Sequence, residues 1–120
     1  MSNHNSLSLL IDIKNNRIHI HNRTLKELGN PSYVFIGYQR ETNNLMILTA
    51  EIGQRGALRL NFDSRGACYI HSKGLIDGIR KVSGLLKEER SYLLKGVFTH
   101  NMSAITFSIE NAVPFTEDMK

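Results

Sequence analysis

The sequence predicts a mainly β protein with two short helices, in which two ββαββ repeats fold together within one 120-residue chain. Three observations lead there. Ile18-His19-Ile20-His21 and Cys68-Tyr69-Ile70-His71 share one pattern of alternating apolar and polar residues. The same succession follows each: Asn22-Arg23-Thr24-Leu25 corresponds to Ser72-Lys73-Gly74-Leu75, and Ser32-Tyr33-Val34-Phe35-Ile36-Gly37-Tyr38 to Ser91-Tyr92-Leu93-Leu94-Lys95-Gly96-Val97. Finally, the copies, at residues 8–50 and 57–110, are each too small to bury a core alone, so they must share one.

The first copy opens on Ser8–Ile13, a loosely alternating strand, and turns at Lys14-Asn15-Asn16, where Asn tolerates the left-handed conformation. Arg17–His21 returns with Ile18 and Ile20 on one face and Arg17, His19 and His21 on the other. A short helix follows, with Asn22 as its expected N-cap, Leu25 and Leu28 on one face and Gly29 as its stop. Tyr33–Gln39 and Leu45–Ala50 then form a hairpin. Residues 51–56, with Gly53 and Gly56, read as the connector.

In the second copy Leu58, Leu60 and Phe62 alternate, Asp63-Ser64-Arg65-Gly66 turns, and Cys68 and Ile70 return on the buried side. Gly66 occupies the place of Asn16, and both residue types accept positive φ. Ser72 caps a longer helix whose apolar stripe is Leu75, Ile76, Ile79 and Val82, ending at Gly84. Tyr92–Thr99 and Ala104–Ile109 form the closing hairpin around His100–Ser103. Residues 1–7 read as a flexible lead-in, and residues 111–120 as a tail that frays beyond Pro114.

Composition narrows the function. Lys and Arg total 15 against 11 Asp and Glu, a net charge of +4 that suits an anionic partner. Residues 1–60 hold seven basic and four acidic side chains, residues 61–120 eight and seven, so the excess lies in the first copy. The single cysteine, Cys68, excludes an intramolecular disulfide and an all-cysteine metal cage, which suits a reducing compartment. Neither a secretory leader nor an apolar run of the roughly 20 residues a membrane helix needs is readable, so a cytoplasmic protein without membrane contact is expected. No G-x-S-x-G, H-E-x-x-H, P-loop or G-x-G-x-x-G is present, and Gly53-Gln54-Arg55-Gly56 leads into a strand rather than a helix. The expectation is a non-enzymatic protein with no cofactor and no bound metal. His19, His21 and His71 are the only imidazoles that the pattern could bring together, and Cys68 points away from them.

At Asp63-Ser64-Arg65-Gly66-Ala67-Cys68-Tyr69-Ile70-His71 the chain is similar to the D-S-K-G-R-I-x-I-P signature of AbrB/MraZ-like transcription factors. Asn16 to Gly29 is similar to the continuation G-R-I-x-I-P-x-x-x-R/L-x-x-L-G. With two copies in tandem, the arrangement resembles the MraZ branch. The resemblance implies a swapped-hairpin (AbrB-like) β-barrel, an intrachain pseudo-dimer in which each repeat supplies strands to the other's sheet, and further homo-oligomers are compatible with it. It also implies a DNA-binding transcriptional regulator that presents basic residues of the first hairpin and helix start. The motif Pro is His21 and His71 here; the motif Arg is kept as Arg17 but replaced by Ala67; and Ile13 stands where the motif has Asp, unless the first turn is one residue longer.

The candidate nucleic-acid-binding residues are Lys14, Asn15, Asn16, Arg17, Arg23, Lys26, Arg65 and Lys73. Cations on a hairpin and at a helix start neutralise phosphates, and Asn amides reach phosphates or base edges. Arg17 and Arg23 are expected on one side of the first hairpin–helix junction, with Lys73 approaching by pseudo-symmetry. Since Ala67 replaces the second arginine, a strong first half-site and a weak second one are expected on duplex DNA. The alternative is a protein–protein module on the same scaffold, such as an antitoxin or a mobile-element protein that binds a host factor.

Overall fold

A computed structural model describes residues 7–99 and 104–115. The expected turn at His100–Ser103, the lead-in up to Ser6 and the tail from Thr116 lie outside the described residues. The elements run β1 (Leu7–Asp12), β2 (Arg17–Ile20), α1 (Asn22–Glu27), β3 (Tyr33–Gln39), β4 (Asn44–Ala50), β5 (Leu58–Arg59), β6 (Asn61–Phe62), β7 (Cys68–His71), α2 (Lys73–Ser83), β8 (Ser91–Thr99), β9 (Ala104–Ser108) and β10 (Val113–Pro114). The expected order of strands and helices is therefore present, with the two helices following β2 and β7.

All pairings among the described strands are antiparallel, and they form one sheet in the order β5-β3-β4-β9-β8-β1-β2-β7-β6. The ends of that path, β5 and β6, are separated in the chain only by Leu60. The sheet thus curls into a nearly closed barrel. Neighbours come from both halves of the sequence: β1 lies along β8, β2 along β7, β4 along β9 and β3 along β5. At the centre of one seam, Ile18 faces Ile70 and Ile20 faces Cys68; at the other, Ile47 faces Ile105 and Leu45 faces Phe107. These inward side chains belong to one core with Leu9, Ile11, Val34 and Leu94.

The second outer strand departs from the simple alternation. Leu58, Leu60 and Phe62 were expected on one buried face, yet only Leu60 is buried and Phe62 is 55% exposed. The chain turns a corner at Leu60, whose N–H donates to Ser32 O at 3.0 Å. That corner lets β5 pair with β3 while β6 pairs with β7, and it turns Phe62 outward.

The helices close the picture. The N-cap of α1 is His21 rather than Asn22: its Nδ1 accepts from Arg23 N at 3.4 Å, and Asn22 is already helical. Thr24, fully buried, clasps β1, accepting from Ser8 N and donating to Ser8 O, both at 2.9 Å. Ser72 caps α2 as expected, accepting from Leu75 N at 3.1 Å, and Gly84 ends it in the left-handed region at φ 71°. Of the α2 stripe, Ile76 and Ile79 are buried, Leu75 is half-buried and Val82 is exposed. Fraying was expected beyond Pro114, but the next residue is held: β10 pairs with β8, and Phe115 N donates to Ser91 O at 2.9 Å.

Two predictions follow from the packing. A carboxylate at Ile20 or Ile70, each at a contact between halves, should abolish the whole cooperative unfolding transition rather than part of it, because a buried unpaired charge is not tolerated; circular dichroism melting of Ile20→Asp reads this. Gly96 is a tighter constraint. A Cβ there would lie 2.6 Å from Phe107 Cε2 and 2.8 Å from Ile105 Cγ2, both on fully buried side chains. Gly96→Ala should cost about 1–3 kcal/mol, the usual penalty of overpacking, measured by urea unfolding.

Candidate nucleic-acid interface

The two strands at the β2–β7 seam carry a polar outer face opposite their buried one. Arg17, His19, Tyr69 and His71 occupy it, and they touch. The Arg17 guanidinium lies 4.5 Å above the Tyr69 ring centre. His19, directly opposite Tyr69 in the ladder, stacks on it at 4.9 Å with an interplanar angle of 27°. His71 lies 6.2 Å from Tyr69 on a tilted plane. Sequence reasoning missed Tyr69 as the centre of this band. The signal was its outward place between Cys68 and Ile70, but its partners come from the other copy and only the register identifies them.

Each end of the seam is capped by a hairpin turn from one half of the chain and a helix start from the other. At one end, Asn16 accepts from Ser72 N at 3.0 Å, which brings the Lys14–Arg17 turn beside Lys73. At the other, Gly66 shares a cleft with Asn22, Arg23, Leu25 and Lys26, which brings the Arg65 turn beside α1. The expected grouping is thereby rearranged. Arg17 and Arg23 sit at opposite ends, separated by the length of β2, about 10 Å at 3.3 Å per residue. Arg65 joins Arg23 and Lys26; Lys73 joins Lys14, Asn15, Asn16 and Arg17.

The turns themselves are built on equivalent carboxylates. Asp12 Oδ1 accepts from Asn15 N at 3.2 Å, and its Oδ2 from Asn15 Nδ2 at 2.8 Å and Arg17 Nε at 3.1 Å. Asp63 Oδ1 accepts from Arg65 N at 2.8 Å and Ala67 N at 3.0 Å. The first turn is one residue longer, so Asp12 rather than Ile13 fills the place of Asp63. Asn16 and Gly66 both have positive φ, 53° and 85°, as the shared turn chemistry requires.

Charge is distributed unequally between the two ends. Burial alone would raise the Asp12 pKa, but the Asn15 hydrogen bonds and Arg17 outweigh it and hold it below 3.8. It is therefore ionised and offsets Arg17, whose side chain is only 36% exposed. Lys73 Nζ lies 2.6 Å from Asp77 Oδ2 on the same helix. Both partners are well exposed, so that pair is worth only about 0.3–0.5 kcal/mol and yields readily. At the other end, Arg23, Lys26 and Arg65 have no side-chain ion pair among the described residues. Lys14 is likewise unpaired and exposed.

Burial pushes the Cys68 thiol up to about 11, which leaves it an inert core atom. Among the described residues no three of His, Cys, Asp and Glu gather as metal ligands, and no helix is long and apolar enough to cross a membrane. The chain matches no protein-family model, no curated protein and no solved structure.

His19 generates a pH prediction. Burial first, then the charges of His21 and Arg17, hold its pKa below the ordinary 6.5, against an opposing pull from Asp63. Between 6.5 and the lowered folded value the unfolded chain binds more protons, so stability falls as pH drops through that window. The melting temperature should be lower at pH 5.5 than at 7.5, and the difference should shrink in His19→Gln.

Proposed function

We propose that this chain is an intrachain pseudo-dimer of swapped hairpins that binds duplex DNA through the β2–β7 face, without enzymatic activity, as a transcriptional regulator. The pairing of β1 with β8, β3 with β5 and the two halves at β2–β7 and β4–β9 supports the interleaved reading, as does the single core. The observation that carries the DNA reading is the pair of composite basic ends flanking one strand ladder. Each end combines a hairpin turn and a helix start, so two similar sets of cations address a polyanion from positions related by an approximate twofold. Arg17 is a positioning residue in this reading: Asp12 and Tyr69 hold it across the seam. Lys14, Arg23, Lys26 and Arg65 supply unpaired charge, and Lys73 joins them when it leaves Asp77.

Lopsidedness persists but changes sides. The end built by Arg23, Lys26 and Arg65 is the stronger, since the opposite end spends two of its three cations on carboxylates. Duplex binding measured between 50 and 200 mM salt tests this. If both residues contact phosphates, Arg23→Ala/Arg65→Ala should lower the magnitude of the log–log salt slope by about two, at roughly 0.9 per lost contact. Arg65→Ala should weaken binding more than Arg17→Ala. No shift of duplex DNA by the unaltered protein at low salt would reject the reading. A protein partner would then be the better reading, favoured by the open groove where Val97, 67% exposed, and Val113 lie beside Leu93 and Thr106.

A further inference from the structure

Two unrelated anomalies meet in one place. Phe62 is turned out to solvent by the corner at Leu60 and stands 55% exposed, although a large aromatic ring gains most from burial. Arg23 Nε is buried with no hydrogen-bond partner, although buried donors are nearly always satisfied. Both residues line the same cleft of about 420 Å³, together with Asn22, Lys26, Asn30 and Gly66. That volume falls within the roughly 300–1,000 Å³ of small-ligand sites.

The lining chemistry is specific. Arg23 and Lys26 provide two cations without ion pairs among the described residues. Asn22 and Asn30 offer amides able both to donate and to accept. Phe62 offers an open ring face, and Gly66 presents no side chain. The adjoining turn is held by Asp63, whose Oδ1 accepts from the Arg65 and Ala67 N–H groups. Cations for a phosphate, amides for a polar edge and an aromatic platform for a planar ring together describe one ligand class.

We propose that this cleft binds a nucleotide, a phosphate ester carrying a planar base, with the phosphate at Arg23 and Lys26 and the base stacked on Phe62. The source is either a free mononucleotide or an unpaired nucleotide at the end of a DNA strand. The inference does not rest on recognition of intact duplex, to which Phe62 contributes nothing in the reading above.

Isothermal titration of the full chain with AMP, ribose 5-phosphate and inorganic phosphate tests it. AMP should bind about tenfold or more tighter than ribose 5-phosphate, the gain typical of one stacked base. Phe62→Ala should erase that preference, and Phe62→Tyr should keep it. Lys26→Gln and Arg23→Gln, each removing one cation, should weaken AMP and ribose 5-phosphate alike, with melting curves confirming that each variant folds. A duplex with a one-nucleotide overhang, compared with a blunt one, separates the sources: tighter overhang binding that Phe62→Ala removes assigns the strand end, and equal binding assigns the free nucleotide. No AMP binding at millimolar concentration together with no preference for the overhang, or equal affinity of AMP and ribose 5-phosphate, would overturn the proposal. Blunt-duplex binding unchanged in Phe62→Ala keeps failure here distinct from failure of the DNA reading.

Discussion

The structure depends on the antiparallel pairing of Arg17–Ile20 with Cys68–His71. Four residues from each half meet there, and their alternation divides two tasks. Ile18, Ile20, Cys68 and Ile70 point into the core and are almost wholly buried. Arg17, His19, Tyr69 and His71 point out and stack into a band across the join. A one-residue slip of β2 along β7 would exchange its faces, placing Arg17 and His19 inside and Ile18 and Ile20 outside. The register is therefore strongly specified, and the outer face inherits its geometry from the inner one.

From this seam the rest of the barrel follows. Each strand at the seam pairs outward with the preceding strand of its own hairpin, β2 with β1 and β7 with β6. The chain then crosses to the other half, through β1–β8 on one side and β5–β3 on the other. The halves differ in how they manage that crossing. β1 pairs with β8 along its whole length and with β2 over Leu9–Asp12, whereas the second half divides the work between β5 and β6 at the Leu60 corner. That difference leaves Phe62 exposed in the cleft beside α1, so the two basic ends differ in chemistry.

The electrostatics are decided on the same scale. Asp12 and Asp63 organise equivalent turns, but only Asp12 also holds an arginine, because Arg17 has Ala67 as its counterpart. A count of basic residues along the chain places the excess in the first copy. In space three cations without ion pairs among the described residues, Arg23, Lys26 and Arg65, gather where the second half's turn meets the first half's helix. Charge counted by segment and charge available to a ligand are different quantities, since ion pairs and fold topology redistribute the second.

Much of the architecture was legible in the chain itself. The alternation at Ile18/Ile20 and Cys68/Ile70, the turn chemistry of Asn16 and Gly66, Ser72 as a cap and Gly84 as a stop are local physics, decided by side-chain period and by which residues tolerate positive φ. What lay beyond it required partners distant in sequence. His21 displaced Asn22 as the cap of α1, a choice between adjacent residues that sequence spacing does not resolve. Phe62 obeyed the alternation in sequence and broke it in space, because pairing to two different strands forced a corner at Leu60. Tyr69 became the centre of the polar band only through the register that sets His19 against it. Arg17 and Arg23, six positions apart, were sent to opposite ends of one strand, while Arg23 and Arg65 were brought to the same end. Local sequence determined the elements and their faces; long-range pairing decided which faces and charges share a site, because that choice depends on contacts between residues some 50 positions apart, as in Ile18 with Ile70.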